Sequence, residues 1–174
     1  MSDPTTIWIT TEPDVEGVYQ PVVILGKDRS YSLAGEAGQR YAGHVIGAAA
    51  IAEHEAAIAA QIAKMTSPDH ALLTLKDFRA RRLRPVTSGT ALELVPGVSL
   101  YTGEPFLGVE IDGRRVGQWT VADARGHAQH ALTAVVVAEL DQAYLYVLTD
   151  DVDLPEPAAR AAVAALAEFK RSSP

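Results

Sequence analysis

At 174 residues, with 48% apolar and 21% charged side chains, the chain has the composition of a folded globular protein of one domain or two small similar ones. A formal net charge of −7 and a sequence pI near 5.2 argue against a general affinity for nucleic acid or anionic membrane. There is no cysteine, which removes disulfides, thiolate metal sites and cysteine nucleophiles together.

The start, Met1-Ser2-Asp3-Pro4, shows neither the basic nor the apolar region of a signal peptide, and a cytoplasmic protein is the expectation. Thr5 to Thr11, with Ile7, Trp8 and Ile9, predicts a first strand, broken at Glu12-Pro13-Asp14. Val18 to Leu25 predicts a second strand, continuous enough in Val22-Val23-Ile24-Leu25 to be buried on both faces. Gly26-Lys27-Asp28 supplies a turn, and Ser30 to Leu33 a short returning strand. From Ala34 to Met65 the pattern is helical, with an apolar stripe at 41, 45, 48, 52, 56, 59 and 63 that is mostly Ala and admits a close neighbour. Ile51, Ile58 and Ile62 form a second stripe, and Gly43 and Gly47, four apart, suggest a close crossing. Ser67-Pro68-Asp69 opens a shorter helix that runs to about Arg82, and Thr87-Ser88-Gly89 reads as a linker.

Pro96-Gly97 predicts a type II turn between strands Ala91–Val95 and Val98–Thr102. Phe106–Ile111 and Arg115–Trp119 flank an Asp112-Gly113 hairpin turn. Thr120 is the expected N-cap, with Asp123 at the capping-box position, of a helix from Val121 to Leu148. That helix contains the most apolar run, Ala131–Leu148, but Glu139 and Asp141 sit in it. An Asp at a bilayer centre costs roughly 2.5–3.5 kcal/mol, which argues against a membrane span. Leu154-Pro155-Glu156 opens a last helix to about Lys170.

The two halves resemble each other. Shifted by 86 positions, Tyr41–Ile62 lies over His127–Leu148, and Ala42/Ala128, His44/His130, Ala48/Ala134, Ala52/Ala138, Glu53/Glu139 and Ala57/Ala143 coincide. The expected fold is therefore α+β, with two tandem βββαα repeats, residues 1–86 and 87–174. Together they would form one compact unit with an antiparallel sheet, perhaps of seven strands, long helices on one face and internal pseudo-twofold symmetry.

No phosphate-binding loop, nucleophile elbow or His-Glu-x-x-His helix occurs, so no catalytic residue, cofactor or metal site is assigned. His127 and His130, with Asp123 one turn earlier, are too few and too ordinary for a metal reading. His44 and Glu55, eleven apart, share a helix face, as do His130 and Asp141; these four are the candidate residues of a groove between repeats. Trp8 and Trp119 read as core. Lys76, Arg79, Arg81, Arg82 and Arg84 exceed what a helix C-terminus requires and form the candidate partner-binding patch.

These readings point to a non-enzymatic protein-interaction or assembly module with an unidentified protein partner, and homodimerisation is open. Arg in preference to Lys and abundant Ala resemble the bias of a high-GC actinobacterial genome or its phage. The alternatives are a small-molecule binder or minor enzyme using the groove, and a nucleic-acid binder through Arg79–Arg84, which lacks interleaved aromatics apart from Phe78.

Overall fold

The computed structural model describes residues 7–26, 29–81, 90–99 and 101–172, leaving aside the side chains of 81 and 167–172. Three strands come first: β1 (Ile7–Pro13), β2 (Tyr19–Leu25) and β3 (Arg29–Ser32). A long helix α1 (Glu36–Met65) and a shorter α2 (Pro68–Arg81) follow. The same order then recurs as β4 (Leu92–Val98), β5 (Pro105–Ile111), β6 (Arg114–Thr120), α3 (Val121–Tyr146) and α4 (Glu156–Ser172). A π-helical turn, Val147–Asp151, extends α3, closed by the Val152 amide on the Val147 carbonyl at 3.0 Å.

The strands form two antiparallel sheets, β1-β2-β3 and β4-β5-β6, and not one. Each has its apolar run in the middle strand, where burial on both faces is possible: Val22, Val23 and Leu25 in β2, Leu107 and Val109 in β5. The expected turn at Pro96-Gly97 is not a turn. Both residues lie inside β4, paired with Leu107 and Phe106, and the reversal occurs beyond Val98. Pro is tolerated because β4 is an edge strand, and Gly97 makes room for the Phe106 ring, whose tip a Cβ there would meet at 2.5 Å unless the ring moved aside. With that strand undivided, each half has three strands among the described residues, and the extra strand expected there is part of β4. The Asp112-Gly113 turn does form, with both residues at positive φ (51° and 70°), which matches the twist of a hairpin. The Thr120–Asp123 capping box also forms: the Asp123 amide donates to Thr120 Oγ1 at 3.1 Å and the Thr120 amide to Asp123 Oδ2 at 3.1 Å.

The two long helices lie against each other and run antiparallel. Along α1, Gly38, Tyr41 and Glu53 meet Val135, His127 and Arg125 of α3 in descending order. The facing surfaces are small: Ala42, Ala49 and Ala52 on α1, Ala124, Ala128 and Ala131 on α3, all within 1% of complete burial. At Gly38 a Cβ would collide with Val135 and with the Leu33 carbonyl. Gly43 and Gly47 do not serve this crossing. Nothing lies within 4 Å of where their Cβ atoms would be, because they sit on the side of α1 turned away from α3.

Each long helix packs chiefly on the sheet of the other half: α1 on β4 and β5, α3 on β2 and β1. One apolar core consequently draws on both sheets and both helices, from Val23, Leu25 and Leu33 to Leu92, Leu94, Leu107 and Val109. Smaller clusters seat α2 (Leu75 on Ala59 and Val98) and α4 (Ala159 and Val163 on Leu145).

Candidate functional site

Each residue singled out from the sequence has a definite environment. In the basic run, Lys76 is exposed on α2. Arg79 reaches back to α1, where its Nε and Nη2 donate to Glu55 Oε2 at 2.8 and 2.5 Å. Arg81 closes α2, and Arg82 and Arg84 lie outside the described residues, as does the expected linker Thr87-Ser88-Gly89. Arg79 is thus committed to an intramolecular pair. Glu55 is buried (5% exposed), and a carboxylate so placed needs such a donor.

The groove residues fall into different surroundings. His44 is half-buried and His130 exposed; Glu55 and Asp141 are buried, Asp141 completely. Two clefts are lined by described residues. One of about 270 Å³ lies between the C-terminal part of α1, the start of α2 and the β4–β5 loop, bounded by Ala59, Ala63, Pro68 and Tyr101. The other, about 400 Å³, lies between the end of α3 and α4, bounded by Gln142, Tyr146, Thr149 and Arg160. Neither contains His44, Glu55, His130 or Asp141.

A buried polar pair that does meet across the helix crossing lies one turn earlier than His44 and His130. Tyr41 Oη and His127 Nε2 are hydrogen-bonded at 2.7 Å, and these residues are themselves 86 positions apart. Trp119 of β6 packs on the imidazole with ring centroids 4.7 Å apart, so this tryptophan is half-buried beside a polar group. Trp8, by contrast, is 41% exposed and is not core. Burial lowers the His127 imidazole from its usual 6.5 to about 4, with a smaller contribution from repulsion by His130. Burial likewise raises the Tyr41 phenol above its usual value. A neutral imidazole held by a neutral phenol is a satisfied internal contact, fixing the rotation of α1 against α3. Among the described residues no cluster of three or more His, Asp or Glu side chains could hold a metal ion. Asp123, the local third candidate beside His127 and His130, is engaged by Thr120, whose hydrogen bonds lower its carboxyl below the usual range.

A different surface stands out: the side of α1 and α3 turned away from the sheets. On α3, Leu132, Val136, Leu140 and Tyr144 are 39%, 54%, 48% and 50% exposed, in a row at four-residue spacing. On α1, Gly43, Ile46, Ala50, His54 and Ala57 are exposed in the same relation to their helix. No Asp, Glu, Lys or Arg stands in either row. Exposed Glu139 borders the α3 row, three residues after Val136 and one before Leu140, and Glu53 and Arg125 pair with each other at 2.6 Å. The run Ala131–Leu148 carried the signal for this surface, since it has apolar residues on more than one face, interrupted by Glu139 and Asp141, and only one side of it meets a sheet. Periodicity cannot show which of several apolar faces remains open.

Both long helices are also long and apolar enough to cross a bilayer by length and composition. Their packing bears on that. Each has a β-sheet along one flank and the other helix along a second, so lipid could not surround either.

No protein-family model, no curated protein and no solved structure matches the chain.

Proposed function

We propose that the protein is a non-enzymatic interaction or assembly module that holds a protein partner on the outer face of α1 and α3. The observation carrying this reading is the uncharged row Leu132, Val136, Leu140 and Tyr144, left open on a fully packed helix. Isolated apolar side chains on a surface need no explanation, whereas an apolar row several turns long, bordered by exposed Glu139 and by the paired Glu53 and Arg125, has the composition of an interface core with a polar rim.

The same proposal includes an internal duplication, with a pseudo-twofold axis between α1 and α3. Supporting it are the recurrence of the element order and the meeting of Tyr41 with its 86-shifted counterpart His127. The two clefts also correspond: Ala59, Ala60, Ala63 and Pro68 of one stand where the other has Leu145, Tyr146, Thr149 and Leu154. A duplicated scaffold presents the outer faces of both helices to the same side.

A photo-activatable residue placed at Val136, compared with one at Arg114 on the sheet, tests the reading in an extract of the source cells. Protein adducts, whether with other chains or with its own copies, should form at position 136 and be absent at 114. Equal labelling at the two positions, or none at 136, would remove the proposal.

A further inference from the structure

Apart from the helix face, the cleft of about 270 Å³ where α1, α2 and the β4–β5 turn meet has a lining that its counterpart in the other half helps to interpret. We propose that this cleft binds a small uncharged aromatic molecule, of one ring or two fused rings, that carries a single N–H or O–H group.

The seams between long and short helix are built alike in the two halves. Among the described residues, Ala71 and Leu75 are the buried pair of α2, and Ala159 and Val163 the buried pair of α4. Leu75 clusters with Ala59 of α1, and Val163 with Leu145 of α3, 86 positions further on. The residue after the first of each pair lines its cleft, Leu72 in one seam and Arg160 in the other. The turn after the first strand of each half also holds a glycine at positive φ, Gly17 at 80° and Gly103 at 72°.

The seams are filled differently. Between α3 and α4, Leu145 is buried, and Arg160 reaches across to donate from Nη1 to the Gly17 carbonyl while it pairs with Glu156. Between α1 and α2 the corresponding residues are Ala59 and Leu72, so both the isobutyl group and the guanidinium are missing. The Gly103 carbonyl accepts no hydrogen bond from a described residue. What remains is a space bounded by Ala59, Ala63, Ala71 and Val98, with no Asp, Glu, Lys, Arg or His in its lining. An ionised ligand would lose hydration there and find no counter-charge. An uncharged ring escapes that cost and replaces the missing apolar bulk. A donor on its edge would take at Gly103 the place that Arg160 has at Gly17.

Size and shape agree with such an occupant. An apolar cavity of about 150 Å³ holds a benzene ring, so the cleft has room for one ring or two fused ones. Its walls are set by the chain itself: the Gly103 amide donates to the Ser99 carbonyl at 3.0 Å, and Ser99 Oγ accepts from the amides of Tyr101 and Thr102 at 3.3 and 3.2 Å. Tyr101, 98% exposed at the rim, offers an aromatic face to a bound ring. The lining comes from three short stretches, 59–63, 68–72 and 98–103, which makes a notch for a whole small molecule and not a trough for an extended chain.

Titration with indole of the full chain, labelled at its alanine methyl groups, is the test. Indole should shift the methyl resonances of Ala59, Ala60, Ala63 and Ala71 together and to saturation, with a dissociation constant in the millimolar range or below. N-methylindole, which lacks the donor, and an indole carboxylate, which is charged, should each bind at least about tenfold more weakly. Leu72→Arg, which restores the guanidinium of the other seam, and Ala63→Leu, which fills the notch, should weaken indole binding by the same factor. The buried methyls of Ala49 and Ala128 should keep their shifts in both variants. Should both variants misfold, the three ligands on the unmodified protein decide. No saturable shift, shifts spread equally to Ala50 and Ala57 on the outer helix face, equal affinity for N-methylindole or the carboxylate, or folded variants that bind as before would each overturn the site. N-acetyltryptophanamide binding more tightly than indole would overturn the free molecule as occupant and give the cleft to a tryptophan side chain of a partner.

Discussion

Tyr41, His127 and Trp119 show how one buried polar contact can report on the whole molecule. In the unfolded chain an imidazole takes its proton as pH falls through about 6.5, whereas folded His127 resists until about 4. Folding therefore favours the neutral ring. Its contribution to stability is fully present above about pH 6.5 and is lost as pH falls toward 4. A shift of this size corresponds to no more than about 3 kcal/mol, and partial exposure of the ring reduces that to on the order of 2 kcal/mol. Urea unfolding of the protein and of His127→Leu, followed at about pH 7 and about pH 4.5, checks this. The drop in stability between the two should be smaller in the variant by that amount, and equal drops would show that His127 titrates normally. Neither the contact nor the pH effect was legible in the sequence. His127 and His130 are both plain helix histidines there, and which of the two turns inward depends on where α3 meets α1.

At the scale of elements, most boundaries followed from local chemistry: the Thr120–Asp123 box, the Asp112-Gly113 hairpin and the Ser67-Pro68 start each involve neighbours in sequence. The failure at Pro96-Gly97 has the opposite character. That pair has turn chemistry, but β4 lies at a sheet edge and Phe106 fills the space over Gly97, so pairing with β5 overrides local preference. The glycines of the long helices separate in the same way. Gly38 is small because Val135 and the Leu33 carbonyl press on it; Gly126 of α3 has nothing within 4 Å of a Cβ position. Gly38→Ala should therefore destabilise the protein by about 1–3 kcal/mol through overpacking. Gly126→Ala should stabilise it by up to about 1 kcal/mol through helix propensity. Urea midpoints of the two variants, at a concentration where the association state is the same, give the signs. Stabilisation by Gly38→Ala would mean that the helices cross with more room than the structure gives them.

At the scale of the molecule, the sequence pattern revealed two similar halves but not how they are joined. A single sheet was expected because the strand patterns alone do not say which strands pair across halves; the structure keeps the two sheets apart and exchanges the helices instead. Since α1 covers β4 and β5 while α3 covers β2 and β1, neither half has its own long helix as the main cover for its sheet. Leu92, Leu94 and Leu107 would stand open without α1, as would Val23 and Leu25 without α3. A half of under 90 residues has little apolar area in reserve to offset such exposure. We therefore expect one cooperative unfolding transition rather than two. The chain provides its own reporters, one tryptophan in each half: Trp8 in β1 and Trp119 in β6. In the single-tryptophan variants Trp8→Phe and Trp119→Phe, fluorescence follows one sheet at a time, and circular dichroism on the same samples corrects for any change in stability caused by the substitution. Coincident fluorescence and dichroism curves in both variants are the expected result. A tryptophan signal that precedes the loss of helix in either variant would show that one sheet opens while the other half stays folded, which the exchange of helices between halves forbids.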